Sequence, residues 1–235
     1  MYLKFGKRLL DILASAVALI LLSPLIVYLS WKIRKNLGSP VIFSQIRPGK
    51  NNQLFRLYKF RSMTDERDAK GNLLPDEQRM TDFGRRLRAS SLDELPELWN
   101  ILKGDMSMVG PRPQLVRDMV FFDEEEMHRQ DVMPGLTGLA QINGRNNIDW
   151  KERFHYDLQY IKCISLTEDL RIIWRSVFKV VRQEDIATDG METSEDYGDW
   201  LLRKKIIDDN YYILKKEKAK DILSYYNARR KWLDE

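Results

Sequence analysis

The longest hydrophobic stretch lies near the start of the chain, where the 20 residues 12–31 carry no charge. A helix that crosses a bilayer needs about 20 such residues, so the length permits a crossing. Pro24 interrupts the stretch near its middle, because proline lacks an N–H and its ring clashes with the carbonyl of Ile20. The hydroxyl of Ser23 can donate to a freed carbonyl, which makes a break tolerable in lipid. The pattern predicts a helix that is broken at Ser23-Pro24.

Basic residues flank this stretch on both sides, at Lys4, Lys7 and Arg8 and again at Lys32, Arg34 and Lys35. Positive flanks stay on the cytoplasmic side of a membrane, and here they do not distinguish one end from the other. A re-entrant membrane helix hairpin over 1–36, with both ends at one face, satisfies both flanks. A spanning helix with a kink at the proline is the alternative that these residues leave open.

Weaker patterns behind this segment predict a mostly helical α/β domain with few short strands over 37–185. Two short strands, 41–44 and Leu54–Phe60, flank a turn-rich centre. The polar residues 64–82 are expected to form a long loop, and another short strand is expected around 139–142. No βαβ alternation and no G-x-G-x-x-G motif occurs, so the sheet is not doubly wound. Apolar residues recur at helical spacing at Leu95, Leu98, Trp99 and Leu102.

Residues 169–182 predict a basic amphipathic helix with one apolar and one basic stripe. Such a helix is typical of a membrane interface, although an ordinary surface helix has the same pattern. The acidic residues 187–200 are expected to form a linker, and 201–233 one or two charged helices. Both belong to a C-terminal extension, 186–235, whose role stays open and can include a homodimer contact. The stripes consist of Leu170, Ile173, Trp174, Val177 and Val181, and of Arg171, Arg175, Lys179 and Arg182.

Composition limits the partners and the metal. The 235-residue chain carries a net charge of +4, which suits an anionic membrane surface better than nucleic acid. Cys163 is the only cysteine, so no intrachain disulfide can form, which suits a reducing compartment. Two histidines and one cysteine cannot build an ordinary structural zinc site. Carboxylate and substrate oxygens must hold any metal, which indicates Mg²⁺, with Mn²⁺ as an alternative.

Two adjacent carboxylates, Asp93 and Glu94, are the first candidates for chemistry. In a helix they would point about 100° apart, so one could face a reacting atom while the other holds a metal. Ser91 and Glu94 also have capping-box spacing, but a cap at Ser91 would place Pro96 inside the helix. A helix that starts at Asp93 avoids this and puts a carboxylate at its positive end, which also attracts phosphate. The residues alone leave capping and catalysis both open.

Basic side chains accompany the acidic pair, at Lys59, Arg88, Arg112 and Arg145. Arg112 lies between two prolines, and a rigidly held arginine suits bidentate phosphate binding. Each of these residues alone could be an ordinary surface charge. Together with two carboxylates and a membrane segment, they indicate phosphoryl chemistry on a lipid substrate.

Several ordered blocks over residues 1–185 resemble the monotopic bacterial sugar transferases, which are polyprenol-phosphate phosphoglycosyl transferases. These blocks show no departure from the family pattern, while the chain after about residue 186 lies outside the resemblance. The loop DERDAKGNLLPDEQR further resembles the small PglC-type members, which use acetamido-sugar nucleotides such as UDP-diacetylbacillosamine. The blocks are KRLLD, Ser23-Pro24, SQIRPGKNNQLFRLYKFRSM, LRASSLDELPELWNILKGDMSMVGPRP and PGLTGLAQINGRN.

The resemblance implies a re-entrant hairpin in the bacterial cytoplasmic membrane, with the active site on the cytoplasmic face. It implies transfer of a phospho-sugar from a UDP-sugar to undecaprenyl phosphate with release of UMP, by a ping-pong mechanism. This would be the first membrane step of glycoconjugate assembly. Asp93 would form a covalent phosphosugar intermediate, and Glu94 would help to hold Mg²⁺. The implied phosphate-binding residues are Lys59, Arg88, Arg112 and Arg145, and Asp157 is a further polar-site candidate whose alternative is a helix-surface carboxylate.

Two other classes of function compete with this interpretation. A non-catalytic adaptor at the membrane surface would use the basic helices, but it leaves the motif at 88–113 unexplained. A metal-dependent lipid phosphatase would release phosphate or sugar phosphate without forming UMP.

Overall fold

The computed structural model describes residues 2–144, 148–182 and 195–234, and most of them are helical. The expected α/β fold, mostly helical with few short strands, is confirmed. In chain order the elements are α1 (Lys7–Leu21), α2 (Ser23–Leu37), β1 (Ile42–Pro48), β2 (Leu54–Phe60), α3 (Asp76–Arg79), α4 (Asp82–Ala89), α5 (Glu97–Lys103), β3 (Ser107–Val109), α6 (Val116–Met119), α7 (Glu124–Met127), β4 (Gly135–Thr137), α8 (Leu139–Asn143), α9 (Trp150–Lys162), α10 (Leu166–Arg182), α11 (Tyr197–Arg203) and α12 (Asp209–Asp234).

The expected break at Ser23-Pro24 is confirmed as a bend of 62° between α1 and α2. Pro24 lies in the first turn of α2, where its missing N–H costs no helical hydrogen bond. The Ser23 hydroxyl donates at 2.8 Å to the carbonyl of Ile20, which an unbroken helix would bond to residue 24. Among the described residues no single helix has the length and hydropathy to cross a membrane, whereas the bent pair together does. Insertion of the pair into a membrane stays a prediction.

Helix α1 turns polar residues towards the protein and apolar residues outward. Asp11 and Ser15 are buried, and the Asp11 carboxylate accepts the backbone N–H of Met108 in β3 at 2.8 Å. Arg8 donates to two carbonyls in the last turn of α5, where a cation complements the helix dipole. A contiguous apolar surface of this kind is typical of a membrane contact. Its exposed members on α1 include Leu9, Leu13, Val17, Ile20 and Leu21.

The β1–β2 hairpin anchors α2 and ends at the candidate site. Its strands pair antiparallel over their whole length, with Ile42 opposite Phe60. The first strand is longer than the expected 41–44, because the turn is confined to residues 49–53, where Asn51 has a left-handed φ of 53°. Phe60 packs in one cluster with apolar residues of α2 and α4, namely Leu29, Ile33, Leu37 and Leu87.

A second, separate sheet consists of β3 and β4, which pair in parallel with Ser107 opposite Gly135. The strand expected around 139–142 is wrong, because those residues form α8 and the strand lies just before it. Gly135 is the physical reason. A Cβ there would lie 2.1 Å from the backbone nitrogen of Gly110, so only glycine lets the two backbones approach.

Helix α10 confirms the helix expected over 169–182, and it leaves much of the expected apolar stripe exposed. Leu170, Trp174 and Val177 are each more than half exposed, while Ile172 is completely buried. This arrangement agrees with an interfacial helix, and contact with lipid stays a prediction.

The C-terminal helices pack into the largest apolar cluster of the described residues. The linker expected over 187–200 is wrong for its last residues, because α11 begins at Tyr197; residues 187–194 lie outside the described part. Aromatic side chains explain the difference, since α11 buries them against α6 and α9 rather than exposing them. The cluster includes Val116, Phe121, Phe122, Trp150, Phe154, Tyr197, Trp200 and Leu201. The boundary at 186 stays a prediction.

We expect Gly84→Ala to destabilise the fold, because a Cβ there would lie 1.9 Å from the carbonyl oxygen of Ser62. The collision is with backbone, so α4 must shift, at a cost of about 1–3 kcal/mol in the free energy of unfolding. Chemical denaturation in detergent measures this loss. Arg86→Ala, at an exposed position of the same helix, is the control and should change stability little. Equal stability of the two variants would contradict the close approach of α4 to Ser62.

Candidate active site

The acidic pair lies in a tight turn between α4 and α5. Ser91 has a left-handed φ of 54°, and residues Leu92–Glu94 form a single 3₁₀ turn. The expected helix start at Asp93 is wrong, because α5 begins at Glu97 with Pro96 as the residue before it. Neither the 3₁₀ turn nor α5 has a side-chain cap, so Asp93 has no capping role. Proline fits at this point because the first turn of a helix needs no N–H from it. The turn leaves both carboxylates available for other contacts.

Two cations from distant parts of the chain meet at Glu94. Lys59, at the end of β2, donates to Glu94 Oε1 at 2.7 Å, and Arg112, after β3, donates to the same oxygen at 2.6 Å. Lys59 Nζ also lies 3.1 Å from Glu97 Oε1, an ion pair whose angles do not make a hydrogen bond. The structure thus brings together Lys59, Glu94 and Arg112 as the sequence predicted, and it adds Glu97.

The pKa values of the carboxyl groups diverge because their surroundings differ. Burial and the adjacent Glu94 raise the pKa of Asp93 to about 6. Burial opposes ionisation of Glu94 too, but Arg112 and Lys59 outweigh it and hold the pKa of Glu94 well below its usual range. Burial, with a contribution from Glu94, raises the pKa of Glu97 to about 7. At neutral pH the site therefore contains a firmly ionised Glu94 beside an Asp93 that is ionised but poorly solvated.

The residues of the site differ in how far they are exposed to solvent. Asp93 is only 8% exposed, whereas the Arg112 side chain is 39% exposed. An anionic ligand can therefore reach Arg112 from solvent, and the charge of Arg112 acts on the nearby Asp93, whose pKa it lowers. A buried carboxylate with a raised pKa next to a cationic opening is an arrangement typical of a reactive group.

The other predicted residues are placed at different distances from this cluster. Arg88, on α4, donates to the hydroxyl of Ser62 at 2.8 Å, and its charge lowers the pKa of Asp93. Asp157 is buried, and it accepts from Arg129 at 2.7 Å and 3.2 Å rather than facing the acidic pair. Arg145 lies outside the described residues.

Sequence reasoning missed Glu97 and Arg129. Glu97 follows Glu94 by three residues, a spacing that places two side chains on one face of a helical segment, so this residue could have been found. Arg129 donates at 2.7 Å to the backbone carbonyl of Arg112. The two residues are 17 positions apart, so no local sequence pattern predicts this contact. Its guanidinium lies under the rings of Phe122 and Phe154.

The carboxylates of the site are the candidate ligands for the expected Mg²⁺. Within 2–144, 148–182 and 195–234, no group of three or more His, Cys, Asp and Glu side chains is arranged to hold a metal ion. Mg²⁺ usually takes only one or two carboxylates and completes its shell with water and substrate phosphates. Glu94 fits that role, since Lys59 and Arg112 bond to only one of its two oxygens.

Comparison with known proteins places this site in a family. A family model described as bacterial sugar transferase matches residues 2–183. The chain is 48% identical over 189 residues to the uncharacterized sugar transferase EpsL of Bacillus subtilis, which covers 80% of this chain and 94% of that protein. The chain belongs to the bacterial sugar transferase family. The resemblance seen in the sequence is confirmed, and so is the expected class of enzyme, a sugar-1-phosphate transferase.

Further members of the bacterial sugar transferase family are longer than this chain. The undecaprenyl-phosphate galactose phosphotransferase of Salmonella typhimurium is 38% identical over 207 residues, which are 77% of this chain and 41% of that protein. The UDP-glucose:undecaprenyl-phosphate glucose-1-phosphate transferase of Klebsiella pneumoniae is 42% identical over 186 residues, 74% of this chain and 39% of that protein. The chain spans about two-fifths of the length of these two relatives. The family match contains every candidate residue and ends before α11 and α12.

We expect Lys59→Met to destabilise the protein, because it leaves Glu94 and Glu97 with Arg112 as the remaining close cation. The loss in free energy of unfolding should be about 1–4 kcal/mol, less than for a fully buried pair because the site opens to solvent. Lys59 lowers the pKa of Glu97, which lies at about 7, so without Lys59 this carboxyl group is mostly protonated at neutral pH. Adding Glu97→Gln should therefore recover part of the loss only at higher pH, where it removes a negative charge. Denaturant unfolding of the purified variants measures both effects.

Lys103→Met is the matched control for this prediction. Its ion pair with Asp105 has side chains 42% and 20% exposed, so the loss should stay below about 1 kcal/mol. A loss in Lys59→Met no larger than in this control would contradict the importance assigned to the central ion pairs.

Proposed function

We propose that this protein transfers a sugar 1-phosphate from a UDP-sugar to undecaprenyl phosphate at the membrane surface and releases UMP. The observation that carries the proposal is the buried Asp93 beside a Glu94 whose charge is held by Lys59 and Arg112. The names of the two longer relatives, which both include undecaprenyl phosphate, support this lipid as the acceptor. The buried Asp93 supports a covalent, two-step reaction.

The first step begins with the sugar-bearing phosphate of the donor against Arg112. An ionised oxygen of Asp93 attacks that phosphorus, and the bond from this phosphorus to the bridging oxygen of UMP breaks. UMP leaves with that oxygen, and Asp93 carries the phosphosugar as an acyl phosphate. Poor solvation of Asp93 favours attack, because little water must be removed from the carboxylate first.

The second step regenerates the carboxylate. An oxygen of undecaprenyl phosphate attacks the phosphorus of the acyl phosphate, the bond to Asp93 breaks, and the product is an undecaprenyl diphosphate sugar. The cations Lys59, Arg88 and Arg112 would stabilise the negative charge of both phosphoryl transfers. Mg²⁺, when bound by Glu94, would neutralise the diphosphate of the donor.

The location of the reaction follows from the first helices. The outward apolar face of α1 and the bend at Ser23-Pro24 support a re-entrant hairpin whose ends return to the cytoplasmic face. Exposed apolar side chains on α10 support a second contact with lipid. A long polyprenyl chain could then stay in the membrane while its phosphate reaches Arg112.

Two sugar classes are consistent with different observations. The names of the longer relatives concern galactose and glucose, which favours a UDP-hexose. The likeness of residues 65–79 to small family members favours an acetamido-sugar nucleotide such as UDP-diacetylbacillosamine. A donor panel must include both classes.

We expect purified protein with Mg²⁺ to release UMP from one member of a panel of UDP-sugars, and turnover to require undecaprenyl phosphate. Asp93→Asn should lose at least about 10³-fold in turnover, the scale for removal of a nucleophile. Ser90→Ala, a nearby residue whose hydroxyl bonds to the carbonyl of Leu87, is the control and should stay active. Release of free phosphate or sugar phosphate without UMP would contradict the proposal in favour of a phosphatase, and full activity of Asp93→Asn would remove the covalent step.

The acid limb of the pH profile should report Asp93. Attack requires the ionised carboxylate, so kcat/KM for the donor should fall as pH drops through about 6. In a ping-pong reaction this parameter does not include the acceptor, so the lipid phosphate does not contribute. Arg88→Gln removes a cation that lowers the pKa of Asp93, and it should move the limb to higher pH. Arg86→Gln, exposed on the same helix, is the control; an unmoved limb in Arg88→Gln would contradict the assignment.

A further inference from the structure

The C-terminal helices α11 and α12 lie beyond the family match, yet α11 contributes buried residues to the core. Tyr197 is 1% exposed, and its ring meets three aromatic side chains of the matched region. The ring centroids lie 5.0 Å from Phe154, 6.0 Å from Phe122 and 5.1 Å from Trp150. A segment outside the family match is thus built into the centre of the matched region.

The aromatic side chains around Tyr197 hold a buried cation. The guanidinium of Arg129 lies 5.4 Å from the ring of Phe122 and 5.6 Å from the ring of Phe154. Its remaining contacts are the carboxylate of Asp157 and the backbone carbonyl of Arg112. The side chains of Arg129 and Asp157 are only 1% and 2% exposed, so the geometry of this pair is set by packing.

The bond from Arg129 is one of three that hold the backbone around Arg112, since Gly135 donates to the carbonyl of Pro111 and Arg47 to that of Pro113. It is the only one of these three bonds that ends on Arg112 itself, whose side chain reaches Glu94 at 2.6 Å and is 39% exposed. The bond from Arg129 fixes the backbone from the other side. A continuous path of contacts therefore runs from Tyr197 through Phe154, Phe122 and Arg129 to the cation that faces the acidic pair.

Backbone and hydroxyl contacts keep Tyr197 in place. Its N–H donates at 2.9 Å to Asp118, whose carboxylate also accepts the N–H of Leu115, three residues after Arg112. Its hydroxyl donates at 2.8 Å to Glu126. These hydrogen bonds fix the position of the ring, which packs against Phe122 and Phe154, the two rings that contact Arg129.

We infer that Tyr197 is a positioning residue for Arg112, so that the C-terminal segment 195–234 sets the geometry of the phosphate-binding arginine. The kinetic consequence rests on the proposed function, whereas the structural consequence does not. Loss of the ring frees Phe154 and Phe122, lets Arg129 move, and loosens the backbone at Arg112.

The first test is hydrogen–deuterium exchange of the full-length protein in detergent. Tyr197→Leu should speed exchange in the peptide 110–120, while Tyr197→Phe, which keeps the ring and loses only the hydroxyl bond to Glu126, should speed it clearly less. Leu201→Ala is the stability-matched control, because Leu201 lies in the same helix and the same core cluster without a ring against Phe154. If Tyr197→Leu does not fold, Tyr197→Met takes its place, because the unbranched, flexible side chain adapts to an irregular space.

The outcomes of this test separate positioning from general stability. Faster exchange at 110–120 in Tyr197→Leu beyond that in Leu201→Ala supports the inference. Equal exchange in the two variants at equal loss of melting temperature overturns it, because the ring would then act through stability alone. This readout needs no turnover, so it stands even if no UDP-sugar proves to be a substrate.

The second test is a double-mutant cycle on kcat/KM for the UDP-sugar donor. Tyr197→Leu should lower this value by about 10-fold, the scale for residues that orient a ligand-binding side chain. In an Arg112→Lys background the same change should lower it by less than about 2-fold, because the arginine to be positioned is already gone. Equal factors in both backgrounds overturn the inference. A protein with normal exchange behaviour but no UMP release from any donor would instead refute the proposed function.

Discussion

The carboxylate of Glu94 is the interaction on which the site depends, since Lys59 and Arg112 both bond to one of its oxygens. The three residues come from β2, from the turn before α5 and from the loop after β3. Folding must bring these segments together before the charges can compensate one another. Without both cations an ionised Glu94 would be costly to bury, and Asp93 would have a second uncompensated charge beside it. Burial and the neighbouring charge of Glu94 raise the pKa of Asp93, and the cations oppose this rise only in part.

The rest of the fold positions these segments relative to the surface that α1 and α2 form. Arg8 on α1 binds the end of α5, and Asp11 binds the backbone of β3, so α1 contacts the two elements that follow the acidic turn. On the far side, the Arg129–Asp157 pair and the aromatic cluster hold the loop of Arg112. The acidic pair and its cations therefore lie between the α1–α2 helix pair, whose outward face is apolar, and the aromatic cluster. This arrangement suits a reaction between a water-soluble nucleotide sugar and a phosphate attached to a lipid.

Local chemistry in the sequence predicted part of this structure. The break at Ser23-Pro24 is local, because proline removes one hydrogen bond and serine can satisfy the freed carbonyl. The phosphate-binding candidate Arg112 was also predictable, since an arginine between two prolines is held rigidly. The features that failed depend on tertiary contacts. A strand at β4 exists only because Gly135 approaches Gly110.

Long-range contacts likewise account for what the sequence did not reveal. The acidic turn does not begin a helix at Asp93, because Ser91 adopts a left-handed conformation there. No local pattern in the sequence links Arg129 to Arg112, because the hydrogen bond between them joins residues that are 17 positions apart. Residues 195–200 resemble a polar linker when read alone, yet Tyr197 and Trp200 are buried once α9 is in place.

The most direct measurement is the mass of the protein after incubation with Mg²⁺ and the active UDP-sugar, without undecaprenyl phosphate, followed by acid quenching. The account predicts an added mass equal to one phosphosugar, located on the peptide that contains Asp93 and lost when undecaprenyl phosphate is supplied. It also predicts no such mass in Asp93→Asn. Active protein that never carries the added mass, or carries it on another residue, would contradict the covalent role of Asp93.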